Sequence, residues 1–247
     1  MMAVMSALGW GAVAASSLVL GALLALWRHW PERWVGAVLA FGAGALISAV
    51  SFELALEGFA EGDDGFLASG IAAGALTYFL LDRLISRKNT ASPGGEGRRA
   101  QTDADAGSAL ALGAFLDGIP EQLVLGLGIA AGEGVSVGLL VAIFISNLPE
   151  GLGSASDMQE EGRSSQFILK LWISVAAICT LATVVGFLIA DHSSGNFRAV
   201  VDGIAAGALL VMLVDSMIPE AARKTGPTAG LVTVLGFSIA AALSAYT

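Results

Sequence analysis

Long apolar runs separated by short polar stretches dominate the chain, and their length decides what they are. A helix crosses the hydrocarbon core of a bilayer with about 20 residues. Eight runs approach or exceed that length, at 3–27, 34–58, 65–81, 107–131, 135–157, 166–190, 198–220 and 227–246. The pattern therefore predicts an all-α, polytopic membrane protein: a single domain over residues 1–247, built as a compact bundle of eight transmembrane helices. One connection stands apart. Asn89 to Gly107 is rich in Gly, Ser, Ala, Asp and Arg and has no apolar periodicity, so a disordered cytoplasmic loop is expected there. It holds no histidine and is a poor candidate for gathering metal. No basic stretch precedes the first run, which is expected to remain as a span and not be removed as a signal peptide.

Composition sharpens this picture. Hydrophobic residues make up 55% of the 247, charged residues 13%, and the mean hydropathy is +0.77, which excludes a soluble enzyme. The 32 glycines recur in pairs with small residues, as expected where membrane helices approach closely. A single cysteine, Cys179, excludes an intrachain disulfide and a thiolate metal cluster; it is expected to pack as a small apolar residue. With the N-terminus outside, the cytoplasmic side carries Arg28, Arg33, Arg83, Arg87, Lys88, Arg98, Arg99, Arg163, Lys170, Arg223 and Lys224, against Arg198 alone on the other. That asymmetry is the positive-inside bias, and it predicts both termini extracellular in a cell membrane of prokaryotic type. Outer-loop acids (Glu61, Asp63, Asp64, Glu133, Asp191) are either a solvated rim or a means of concentrating cations. Trp10, Trp27, Trp30, Trp34 and Trp172 read as interfacial anchors, and His29 likewise.

Two pentapeptides, Asp117-Gly118-Ile119-Pro120-Glu121 and Ser146-Asn147-Leu148-Pro149-Glu150, lie 29 residues apart in the fourth and fifth spans. Intramembrane carboxylates are costly and usually mark an ion or substrate path. Each proline also removes a backbone donor and frees the carbonyl four residues back, that of Leu116 or Ile145. Asp117 and Glu121 share a helix face at i and i+4; so do Ser146, Glu150 and Ser154, with Asn147 beside them and Asp157 continuing the stripe. Facing each other, the two helices offer carboxylate, amide, hydroxyl and carbonyl oxygens to a cation. Carboxylates held together in low dielectric cannot all stay ionised without a partner, so cation binding is expected to release protons from Glu121 and Glu150.

An internal repeat supports a pathway. Ala43-Gly44-Ala45-Leu46 matches Ala206-Gly207-Ala208-Leu209 at an offset of 163, which also places Glu57 on Glu220. The second and seventh spans run in opposite directions, and inverted repeats around a midplane site with broken helices are the plan of many secondary transporters. Glu53, beside Ser48 and Ser51, either lines the path or pairs with a neighbouring helix. Asp202 and Asp215 are further pathway candidates, Asp202 alternatively capping the outer end of its helix. Glu57 and Glu220 are expected to reach the headgroups, and Met212 and Met217 to belong to the core.

The whole arrangement resembles the ZIP family of divalent-metal transporters (zinc- and iron-regulated-transporter-like proteins). The resemblance rests on eight spans, extracellular termini, a variable loop between spans three and four, Pro-Glu motifs in spans four and five, and the seventh-span ending Asp215-Ser216-Met217-Ile218-Pro219-Glu220-Ala221. It implies a ZIP-like bundle with elevator-like alternating access and a metal site, sometimes binuclear, on Asp117, Glu121, Ser146, Asn147 and Glu150. The family's fourth helix reads His-Asn-x-Pro-Glu-Gly; here those positions hold Asp117, Gly118 and Gln122 in place of His, Asn and Gly. Ser146 replaces a stronger ligand, and the sixth helix offers Thr180 and Thr183 where some members have an acid.

Oxygen-only sites suit harder cations than imidazole sites do, although carboxylates also bind zinc. The expected function is thus divalent metal transport into the cytoplasm, with Zn, Fe, Mn, Cd or a harder cation as substrate and no catalytic cofactor. The alternative is a transport-inactive relative acting as metal sensor or scaffold. A hydrolase is disfavoured because no intramembrane His, Ser–His or Cys–His set exists. The expected partners are the metal ion and the lipid bilayer, not nucleic acid; a homodimer is a candidate assembly.

Overall fold

The computed structural model describes residues 2–90, 106–130, 137–190 and 194–244. Among them every regular element is helical: α1 (Met2–Trp27), α2 (Glu32–Ala49), α3 (Leu56–Glu61), α4 (Asp64–Thr90), α5 (Ala106–Ala130), α6 (Val137–Glu160), α7 (Ser165–Ile189), α8 (Gly195–Met212), α9 (Ile218–Thr225) and α10 (Ala229–Ser244). Six stretches are long and apolar enough to cross a membrane: 3–27, 32–60, 65–84, 139–160, 165–189 and 195–244, the last running through α8, α9 and α10. Gly118–Ala130 is a shorter apolar helix. Leucines, isoleucines and phenylalanines stand exposed around the outside, as in a multi-pass membrane protein whose outer face meets lipid chains.

The element ends differ from the sequence expectation where the chain lacks a breaker. The third run was expected to stop at residue 81, but α4 continues to Thr90, since nothing between Asp82 and Thr90 is Gly or Pro. The expected loop therefore loses Asn89 and Thr90 to α4, and Ala106 and Gly107 to α5; its remainder, 91–105, lies outside the described residues. Helix ends follow ordinary capping: the hydroxyls of Ser164 and Ser194 accept from the amides of Phe167 and Phe197, each at 3.3 Å. Gly226, at φ 76°, turns the chain from α9 towards α10.

Helices α5 and α6 run unbroken through Pro120 and Pro149. The irregular backbone lies elsewhere, in π-helical turns at Val50–Ala55, joining α2 to α3, and Leu213–Met217, joining α8 to α9. Pro219 accounts for the second, because it cannot donate to the carbonyl of Asp215 and the turn before it widens. At the first, the Ser51 hydroxyl donates to the Ile47 carbonyl at 2.7 Å, competing with the helix ladder. The two turns begin at Val50 and Leu213, separated by the same 163 residues as the Ala-Gly-Ala-Leu segments.

Packing groups the helices into two sets, joined chiefly where α2 lies on α6 and by a core shared between them. In one, α1 lies on α6 and α7, and α5 on α7 and α6; in the other, α2 lies on α10 and α9, and α4 on α8. Glycines set these pairings, because within each set backbone touches backbone. A Cβ on Gly44 would fall on the Thr233 carbonyl of α10, and on Gly207 on the Ile71 carbonyl of α4. Gly21 and Gly151 close α1 on α6, and Gly126 and Gly186 close α5 on α7, in the same way. Between the sets the close approaches are to side chains: Gly42 to the Pro149 ring and Gly153 to Leu39.

One core cluster follows the first set, with Leu18, Ala22, Ala155, Met158, Ile168, Trp172 and Cys179. Trp172 corrects its expected place at the interface: it is wholly buried, because α1 and α6 cover this face of α7. Trp27 and Trp34 are exposed at helix ends, as an interfacial anchor requires. Met212 and Met217 belong to the other core, as expected.

Candidate functional site

Glu121 on α5 and Glu150 on α6 reach the interior of the bundle between packed helices, 3% and 6% exposed. Each follows its proline directly, so the ring that cannot extend the ladder sits next to the acid. The two acids lie on helices that pack against each other, α5 on α6. Ser146, Asn147 and Ser154 are buried on α6. The Ser146 hydroxyl donates to the Ile143 carbonyl at 3.0 Å, which spends its proton locally and leaves oxygen lone pairs.

The polar bookkeeping marks this place. Glu121 Oε2, Gln122 Nε2, Asn147 Nδ2 and Glu150 Oε2 are buried without a hydrogen-bond partner. Buried polar atoms are almost always satisfied, and four unsatisfied ones on two packed helices mark a site shaped for something other than the chain itself. Two carboxylate oxygens would accept a cation, which suits the donor set. Among the described residues no group of three or more His, Cys, Asp and Glu converges. The backbone of Asp117 belongs to α5, four residues before Glu121; its side chain lies outside the described residues.

The remaining candidates scatter. Glu53, in the first π turn, is buried and accepts a hydrogen bond from Ser244 of α10, the pairing alternative of its two readings. Asp202 is buried in α8. Asp215 is exposed, because the wide turn directs Leu213 and Met217 inward and leaves Val214 and Asp215 on the outside; an inward-lining role does not follow from its position. Asp157 continues the α6 stripe as expected but ends it in an ion pair, its carboxylate 2.6 Å from Lys224 Nζ. Glu220 is ion-paired as well, to Arg223 at 2.5 Å and Lys224 at 3.1 Å, in place of reaching the headgroups. His29 is exposed beside the end of α1; His192, Glu133 and Asp191 lie outside the described residues.

Sequence reasoning singled out Gln122 only as a departure from a glycine. It is wholly buried, and the hydroxyl of Thr183 on α7 donates to its Oε1. The signal available was its neighbour: a polar residue following an intramembrane acid has to find a partner on the adjoining helix. Of the two α7 threonines, Thr183 makes that contact, whereas Thr180 bonds the Ala176 carbonyl of its own helix at 2.8 Å.

No family model matches the chain. It is 30% identical over 219 residues, 87% of its length, to a protein of Arabidopsis thaliana named "Putative zinc transporter". The chain spans about a third (34%) of the length of that curated relative.

Proposed function

We propose that the chain is a divalent metal transporter of ZIP type, carrying its substrate across a cell membrane by alternating access through the site formed by Glu121 and Glu150. The observation that carries the reading is the pair of buried carboxylates on contacting helices, each with one oxygen that lacks a hydrogen-bond partner. The named zinc transporter with which the chain shares 30% identity supports it. Asp117, Ser146 and Asn147 complete the proposed ligand set, with Ser154 and Asp157 along the exit stripe.

Eight spans with both termini outside give the cytoplasmic loops their excess of Lys and Arg; inward transport belongs to the same proposal. The inverted repeat is supported by the two π turns at one offset, by the paired close approaches at Gly44 and Gly207, and by matching packing of α2 on α10 and α8 on α4. Cation uptake into proteoliposomes containing the full chain, compared with protein-free liposomes, tests the function; no protein-dependent uptake of any divalent cation would overturn it.

Two further outcomes belong to the same site. Metal must displace protons from the acid pair, so apparent affinity should fall as pH drops from about 8 to about 5; titration calorimetry showing flat affinity over that range removes the proton coupling. In a competition panel of Zn, Fe, Mn, Cd, Mg and Ca against labelled uptake, the oxygen-only donor set should tolerate the harder cations. Asp117→His should shift preference towards zinc, and an unchanged ranking would defeat the hard-site assignment.

A further inference from the structure

We infer that Lys224 and Asp157 form a latch holding the two helix sets together at one end of the bundle, and that this latch must open for the transported ion to leave. The inference rests on the transport reading for its purpose but on separate residues for its geometry. Asp157 belongs to α6 of the first set; Lys224 belongs to α9, which continues α8 of the second. The ammonium is 2.6 Å from the Asp157 carboxylate and 3.1 Å from that of Glu220, with only 5% of the lysine side chain exposed. Arg223 braces Glu220 from the outer side, and the charge of Glu32, at the start of α2, bears on Arg223.

Three features make this pair a moving part and not a fixed strut. First, it crosses the seam between the sets, where the glycine approaches at Gly42 and Gly153 are to side chains, whereas within each set those at Gly21, Gly44, Gly126, Gly151, Gly186 and Gly207 bring backbone onto backbone. Side-chain seams allow packed helices to slide, which interlocked backbones resist. Second, the Asp157 position terminates the stripe that begins at Glu150 and passes Ser154, so the ammonium sits across the end of the ion's route. Third, the cross-set contact is a single ion pair: drawing the sets apart leaves Lys224 with Glu220 of its own helix and takes the ammonium from Asp157 alone.

The test uses the full chain in detergent with Cys179→Ala to remove the native thiol and Ser154→Cys as reporter, labelled with a water-soluble maleimide. Adding Lys224→Gln or Asp157→Asn should raise the labelling rate about 5-fold or more, the lower end of what one coupling contact contributes to a two-state balance. Lys224→Arg should keep the parent rate. Unchanged labelling in both neutralised variants would overturn the latch, whatever the uptake assays show. In a second arm, Asp157→Cys with Lys224→Cys in the Cys179→Ala chain is bridged by a short reversible bis-thiosulfonate. Uptake is read as the ratio between the bridged and the reduced form of this same double variant, and bridging should lower it about 5-fold or more, while metal still raises the Tm. A bridged protein that transports at its reduced rate would overturn the latch and leave the transport reading standing; absence of uptake in the unaltered chain would sink the transport reading, with the labelling result still deciding whether the pair is a latch.

Discussion

Glu150→Gln is expected to lower metal uptake into liposomes by about 100-fold or more, and Glu121→Gln by a similar factor. The exchange keeps shape and burial and removes one formal charge from a pair that has no other described acid converging on it. Losing even an outer partner of a metal ligand costs about 10–100-fold, so losing the ligand itself should exceed that. The double variant should be scarcely worse than either single one, because residues acting as a unit are not additive. Binding is read separately from transport by melting. Metal at about 100 times its Kd should stabilise the parent by about 2.7 kcal/mol, and that gain should vanish in both variants. Trp34→Ala, at a 64% exposed helix end, should retain both uptake and the metal-induced gain. Wild-type uptake by Glu150→Gln would remove the proposed site outright.

Gly207→Val should prevent recovery of folded protein, and Gly44→Val should do the same. Forcing extra atoms into a packed interior typically costs about 1–3 kcal/mol and occasionally more. Here the obstacle is a backbone carbonyl, of Ile71 or of Thr233, which cannot rotate aside as a side-chain tip does. A Cβ on Gly128 of α5 meets nothing within 4 Å, so Gly128→Ala should be neutral or stabilising by about 0.5–1 kcal/mol, the helical advantage of Ala over Gly. Size-exclusion profiles and melting curves of the three variants check the contrast. Equal behaviour of Gly207→Val and Gly128→Ala would mean that close helix approach does not govern this bundle.

The helices were legible because apolar runs of bilayer length have few other uses, and the acids because a carboxylate beside a proline in such a run has no ordinary role. Glu121 and Glu150 are buried on packed helices. What the sequence concealed depends on register or on distant partners. A π turn has the same composition as the α-helix around it, so nothing announced that Asp215 would be turned outward while Met217 went in. Lys224 is 67 residues from Asp157, and no periodicity within one helix points at a partner on another. Trp172 looked like an interfacial anchor because it lies near a span end; whether a second helix covers that end is a tertiary fact. Gln122 was read against what it replaced, and its bond to Thr183 emerged only from the approach of α5 to α7.

The wide turn at Leu213–Met217 has a consequence for how variants of this protein should be judged. Each residue of a helix advances it by about 100°, so the turn sets the azimuth of everything after it. A deletion of one residue there would alter the sequence by a single position and leave hydropathy nearly untouched. It would also swing Glu220, Arg223 and Lys224 a quarter-turn around the helix axis, carrying the lysine away from Asp157. Two chains almost indistinguishable by percentage identity would then differ in whether Lys224 can reach Asp157 at all.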